Sequence, residues 1–173
     1  MQKIIRSIIF LLIIFTTVVF FIALNKSSVY DTKNLVGQKI TNIQLKHFTN
    51  DRIITEEDFK KSSFTLINFW ASWCRPCRDE HPELLKLGDE KNLKLIGVNF
   101  KDKKNNAIEF LNNLGNPYDD LAKDELGKQS INLGIYGIPE SILVNKELLI
   151  IQKFVGPLSF DDYNKIEELI KQK

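Results

Sequence analysis

Phe69-Trp70-Ala71-Ser72-Trp73-Cys74-Arg75-Pro76-Cys77 holds the only two cysteines of this 173-residue chain, separated by two residues. Just upstream, Phe64-Thr65-Leu66-Ile67-Asn68-Phe69-Trp70 is a short, aromatic-rich apolar run that predicts a buried strand. Downstream, Arg78 to Leu87 places Leu84, Leu85 and Leu87 at spacings that share the inward face of a helix. The pattern thus carries two thiols from a strand onto the start of a helix. Only a thiolate exchanges with a disulfide, and a free cysteine near neutral pH is mostly protonated. Unpaired N–H groups and the dipole at a helix N-terminus stabilise a thiolate at Cys74. One helical turn returns Cys77 to the first sulfur, which makes Cys74 the exposed nucleophile and Cys77 the shielded, resolving thiol. Pro76 suits a first turn, where its missing N–H leaves no bond unmade.

Two other readings of the same residues stay open at this point. A Cys-x-x-Cys can be half of a zinc site, which takes four ligands. The chain adds no third cysteine and only His47 and His81, the latter four residues after Cys77. A copper- or heme-binding module using Cys74, Cys77 and His81 is the alternative from another class. The remaining one is an inert pair buried in a core. The redox reading requires no metal ligand and no cofactor beyond the Cys74-Cys77 disulfide itself.

The N-terminal segment predicts a transmembrane helix. Ile8 to Leu24 is seventeen residues without a charge, interrupted only by the polar Thr16 and Thr17. Seventeen residues make about 26 Å of helix against a hydrocarbon core of roughly 30 Å, and Ile4 and Ile5 extend the run. Lys3 and Arg6 lie before it, so the positive-inside rule puts that end in the cytoplasm. Ala23-Leu24-Asn25-Lys26 lacks a small-x-small cleavage pattern, and no lipoprotein cysteine follows. The expectation is therefore a retained single-pass anchor at residues 1–26, not a cleaved signal peptide. A polar linker at 27–36 and a single domain at 37–173 follow.

Lys3, Arg6 and Lys26 are the charged residues before Ser27, which leaves 21 basic against 22 acidic side chains beyond it. A domain so balanced has no electrostatic footprint for nucleic acid. Its Lys101 to Lys104 stretch reads as solvated surface. About 140 residues suffice for one core and not for two.

Along that domain, Ile40 to Phe48 predicts an early strand or hairpin ahead of the main sheet, and Glu56-Glu57-Asp58-Phe59 a helical turn. Leu93 to Asn99 reads as a buried strand. Asn105 to Leu114 has helical spacing and stops at Gly115. Gly127 to Leu133 predicts a short helix, while Ser141 to Asn145 and Leu148 to Val155 predict a hairpin turning near Lys146. Ser159 to Gln172 closes the chain as a helix with Ser159 as N-cap and Asp161 and Asp162 in its first turn. Parallel crossovers followed by an antiparallel pair give an α/β fold, a mixed central sheet flanked by helices.

Trp70-Ala71-Ser72-Trp73-Cys74-Arg75-Pro76-Cys77 resembles the active site of the thioredoxin fold. Pro82 matches the proline that kinks the active-site helix in that superfamily, and it cannot donate to the carbonyl of Arg78 in any case. Gly134-Ile135-Tyr136-Gly137-Ile138-Pro139-Glu140-Ser141 is similar to the Gly-Val-x-Gly-x-Pro-Glu-Thr signature of the DsbE/CcmG group, membrane-anchored periplasmic reductases of cytochrome c maturation. Arg78-Asp79-Glu80-His81-Pro82, Gly97-Val98-Asn99-Phe100-Lys101-Asp102 and Leu114-Gly115-Asn116-Pro117-Tyr118 resemble the same group, so the likeness runs from about Val36 to Gly156.

The resemblance implies a thiol:disulfide oxidoreductase on the periplasmic side of the inner membrane. Its substrate would be the disulfide of apocytochrome c, reduced for covalent heme attachment. Its electrons would come from an integral membrane thiol reductase of the DsbD or CcdA type. A related anchored reductase serving other periplasmic proteins is the nearer alternative. The resemblance further implies that Cys74 attacks and Cys77 resolves, and that Glu80 and Glu140 tune the site. Trp73, Arg75, Pro76, Ile138 and a cis Pro139 would form the substrate-docking groove, where an extended peptide adds to the backbone of Ile138. Two departures from relatives stand out. Asn68 occupies the place where ordinary thioredoxins carry a buried aspartate, and Pro157 stands where some relatives carry an acid.

Overall fold

The computed structural model describes residues 2–25 and 35–171. The chain divides into two units, Met1–Asp31 and Thr32–Lys173. The expected linker, 27–36, lies outside the described residues except for 35 and 36.

The first unit is helix α1 (Gln2–Asn25). It is long and apolar enough over Gln2–Ile22 to cross a membrane. Both of its threonines turn their hydroxyls back onto the helix, Thr16 Oγ1 to the Ile13 carbonyl at 2.9 Å and Thr17 Oγ1 to the same carbonyl at 2.7 Å. In hydrocarbon, where no water satisfies a hydroxyl, this is the arrangement such residues need.

The second unit is organised around β3 (Phe64–Trp70), the apolar run that precedes the cysteines. It lies parallel to β4 (Leu93–Phe100) and antiparallel to β6 (Glu140–Asn145). With β1 (Gln44–His47), β2 (Ile53–Thr55), β5 (Asp120–Asp124) and β7 (Ile150–Val155), the sheet order is β2-β1-β5-β4-β3-β6-β7. The helices are α2 (Glu56–Phe59), α3 (Arg75–Asp79), α4 (His81–Gly88), α5 (Lys104–Leu114), α6 (Lys128–Asn132) and α7 (Phe160–Lys171). This is the expected thioredoxin fold.

Strand alternation makes two cores. Leu66 and Trp70 of β3, Leu93 and Leu95 of β4 and Leu143 of β6 meet α4, α5 and α7 on one face. Ile67 and Phe69, Ile96 and Val98, and Ile142 and Val144 point to the other, against Leu45, Ile54 and Ile135. Every strand of this central trio is therefore apolar on both sides, as a sheet covered on both faces requires.

One expectation is corrected, one strand is added and one bend is placed. The early hairpin does not stand ahead of the sheet: β1 joins it by pairing antiparallel with β5. Strand β5 had no counterpart in the sequence reading, because Asp120-Leu121-Ala122-Lys123-Asp124 lacks an apolar run; its place comes from ladders with β4 and β1. The kink expected at Pro82 is present as a break between two helices. Glu80 separates α3 from α4 at φ −81° and ψ −15°, two residues before Pro82.

Helix α7 begins as expected. Ser159 Oγ accepts from Asp162 N at 3.2 Å while the Asp162 carboxylate accepts Ser159 N at 2.9 Å, a reciprocal cap. Its predicted last residue, Gln172, lies outside the described residues.

Gly97 in β4 is closely packed against two rings. A Cβ there would stand 2.8 Å from the Tyr118 ring and 2.9 Å from Trp70 Nε1. Those two rings stack at 5.7 Å, so neither can swing aside cheaply. Gly97→Ala is expected to cost roughly 1–3 kcal/mol by overpacking. A denaturant midpoint equal to that of the wild type would show that the rings have room to move.

Candidate active site

The register brings four chain segments to one edge of the sheet. Phe69 pairs with Glu140 and Trp70 with Asn99, so the end of β3 lies beside the start of β6 and the end of β4. Glu140 also faces Val155, which adds the end of β7. The cysteines leave β3 at this edge, and Pro139 enters β6 there.

Cys74 and Cys77 form a disulfide, with S–S 2.12 Å and Cα–Cα 5.3 Å. Cys74 is the N-cap of α3, and its Sγ accepts the Cys77 N–H at 3.2 Å. The helix terminus thus points a backbone donor at the sulfur that would carry negative charge after reduction. Pro76 stands in the first turn. The expected contrast in exposure is smaller than the sequence reading had it, with Cys74 4% and Cys77 1% exposed. In the bonded form neither cysteine is open to solvent.

The loop before Cys74 is pinned from β4's exit. Asp102 accepts from Ser72 N at 2.6 Å, Ser72 Oγ at 2.8 Å and Asn99 Nδ2 at 3.0 Å. Trp73 is 60% exposed, but its Nε1 donates to the Lys101 carbonyl at 3.2 Å, which holds the ring beside the disulfide. Arg75 and Pro76 are exposed on the same rim. The anchoring role of Asp102 is legible only in the folded chain.

Glu80 lies one helical turn after Cys77 and is completely buried. Its Oε1 accepts from Asn68 Nδ2 at 2.8 Å and its Oε2 from Leu158 N at 2.9 Å. Asn68 Nδ2 also donates to Ser141 Oγ at 3.0 Å, and Tyr118 OH donates to Asn68 Oδ1 at 2.8 Å. Burial pushes the Glu80 carboxyl up to about 7, against the two donors that favour its charged form. The same burial, together with the nearby Glu80 charge, raises the Tyr118 phenol well above its ordinary value. Asn68 cannot relay a proton, but its amide bridges three partners that an aspartate could not satisfy in the same way.

The Ile138-Pro139 peptide bond is cis. Ile138 is half-buried, Pro139 is buried, and the Pro139 carbonyl accepts Gly156 N at 3.0 Å. Glu140 turns its carboxylate to the sheet face of Ile142 and Val144, opposite the face that packs the cysteines. There it pairs with the fully buried Lys153 at 2.7 Å and accepts from Gly137 N at 3.0 Å and Tyr136 N at 3.3 Å. Lys153 was missed: in Ile150-Ile151-Gln152-Lys153 a lysine carries no sign of burial.

His81 Nε2 contacts the Gly115 carbonyl at 3.0 Å, and its ring packs edge-on against Phe110. Burial lowers its pKa, partly offset by that carbonyl. Among the described residues no three His, Cys, Asp or Glu side chains are grouped to hold a metal ion.

Comparison with known proteins agrees with this geometry. Residues 35–170 match the Redoxin family. CycY of Rhizobium leguminosarum bv. viciae, a thiol:disulfide interchange protein, is 50% identical over 97 residues, 56% of this chain and 52% of that protein. The match therefore spans about half the length of that relative. HelX of Rhodobacter capsulatus, a thiol:disulfide interchange protein, is 35% identical over 131 residues, 76% of this chain and 74% of its own. A crystal structure assigned to DsbE of Chlorobium tepidum superposes with a TM-score of 0.67 at 27% identity, covering 78% of this chain and 94% of that one.

Proposed function

Since the chain belongs to the redoxin family and, within it, to the DsbE/CcmG group of thiol:disulfide interchange proteins, we propose that it is a membrane-tethered reductase of partner disulfides. The observation that carries this reading is the Cys74 sulfur seated as N-cap of α3 with the Cys77 N–H aimed at it.

In the reduced protein the Cys74 thiolate attacks one sulfur of the substrate disulfide. The new Cys74–substrate bond forms as the other substrate sulfur leaves as a thiolate. Cys77 then attacks Cys74, expels the second substrate thiolate and closes the disulfide seen here. Substrate gains two electrons and, at neutral pH, two protons; the protein loses two electrons. Glu80, one turn from Cys77, is the proposed acceptor of the Cys77 proton, and a carboxyl near 7 is matched to that task. Trp73, Arg75 and Pro76 on one side and Ile138 and Pro139 on the other would flank the incoming peptide.

The finer assignment is to the Cys-x-x-Cys-His disulfide of apocytochrome c, with an integral membrane thiol reductase of the DsbD or CcdA type restoring the dithiol. The apolar α1, with Lys3 and Arg6 at its start, supports a single-pass anchor in the inner membrane and a domain on the periplasmic side. Detergent-solubilised full chain, prereduced, is expected to reduce a disulfide-bridged Cys-x-x-Cys-His peptide roughly tenfold faster than insulin, through transition-state contacts to the peptide. Equal or lower rates on the peptide would remove the apocytochrome assignment.

A further inference from the structure

We propose that Lys153 is a positioning residue for substrate docking: with Glu140 it forms a buried strut that holds the Gly134–Pro139 loop in its binding geometry. The inference rests on the reductase reading above and assigns Glu140 a different task from tuning the thiols.

Glu140 and Lys153 sit diagonally across the antiparallel β6–β7 pair, on the same face, since Glu140 is opposite Val155 and Ile142 opposite Lys153. Their side chains are 4% and 0% exposed and their charged atoms 2.7 Å apart. Both also bond to one loop. Lys153 Nζ donates to the Gly134 carbonyl at 2.6 Å, and Glu140 Oε1 accepts Gly137 N at 3.0 Å and Tyr136 N at 3.3 Å. The Tyr136 ring lies 5.5 Å from the ammonium. The loop is therefore gripped at its entry, Gly134, and at its middle, Tyr136 and Gly137, with Ile138 and Pro139 following directly.

A buried ion pair needs further hydrogen bonds on both charges, and here the loop before Pro139 supplies them. A buried pair is costly to desolvate and is often replaceable by apolar groups without loss of stability. Here both charges are placed where they order the backbone that precedes the docking residues, and rigid backbone on one side of a binding groove lowers the ordering cost of binding. The carboxylate faces away from the cysteines, so its removal should alter how peptides dock and leave the thiol chemistry in place.

The test compares full-length wild type with the double variant Lys153→Met/Glu140→Leu and the single variant Lys153→Met. The double variant fills the space with apolar groups and keeps the fold, as a far-UV spectrum and cooperative melting would verify. Steady-state reduction of the Cys-x-x-Cys-His disulfide peptide by the double variant is expected to show KM raised roughly tenfold or more with kcat within about twofold. Its thiol–disulfide equilibrium with glutathione is expected to match wild type within about twofold. Lys153→Met alone leaves Glu140 buried without its partner and is expected to melt lower than the double variant. A wild-type KM in the folded double variant, or a shifted glutathione equilibrium with KM unchanged, would overturn the proposal. If wild type reduces insulin but not the peptide, the apocytochrome reading fails while the KM split is read on insulin instead. If it reduces neither, both readings fall.

Discussion

Cys74→Ala is expected to abolish disulfide exchange, lowering the rate roughly a thousandfold or more, because the only sulfur held at the helix N-cap is gone. Cys77→Ala should behave differently. Its backbone N–H remains, so the donor aimed at Cys74 Sγ survives the substitution. Attack on substrate then proceeds, but nothing displaces the bound partner. The variant should accumulate a covalent Cys74–substrate adduct, visible as a mass increase that disappears with dithiothreitol. Equal loss in both variants with no adduct would contradict the division of labour between the two sulfurs.

Glu80→Gln is expected to remove the steepest neutral-range pH dependence of the domain. The Glu80 carboxyl keeps its proton in the fold up to about 7, raised by burial from 4.5. Between those two values the native state binds more proton than the unfolded chain, so stability falls as pH rises. The contribution is fully present below the unfolded value and is lost as pH passes through about 7. The difference corresponds to about 3 kcal/mol between acid and mildly alkaline solution. Glu80→Gln, which cannot ionise, should flatten urea midpoints measured from pH 5 to pH 8. It should also slow resolution of the mixed disulfide above neutral pH, where wild-type Glu80 is ionised and able to take the Cys77 proton. Midpoints that track wild type across that range would mean that Glu80 ionises as freely in the fold as outside it.

Much of the fold was legible because its central strands are continuous apolar runs. Phe64 to Trp70 and Leu93 to Asn99 read as strands from sequence, and both are apolar runs largely buried on both faces. The α7 N-terminus was legible from Ser159 and Asp162, whose reciprocal cap is a local device. Strand β5 was not, because its five residues draw their place from neighbours on both sides, and only Ala122 and Asp124 of the five are buried. The break at Glu80 was half legible: Pro82 announces a bend, but not that the carboxylate at the break is buried and accepts Leu158 N.

The site divides along the same line. The cysteines, Pro76 and Pro139 are marked by spacing and residue type. The environment of the carboxylates is not, since Glu80 and Glu140 sit in sequence among charged or loop-forming neighbours and their burial depends on Asn68, Leu158 and Lys153, each remote in the chain. A lysine with 0% side-chain exposure inside a two-charge strut can be found only once β6 and β7 are paired.

The most direct test of the account is a redox titration of the full chain in detergent against reduced and oxidised glutathione, with the thiol state quenched by alkylation and read by mass. The account predicts a single reversible two-electron transition, in which Cys74 and Cys77 are alkylated together or not at all. A protein that stays bridged under every ratio, or yields only singly modified species, would contradict it.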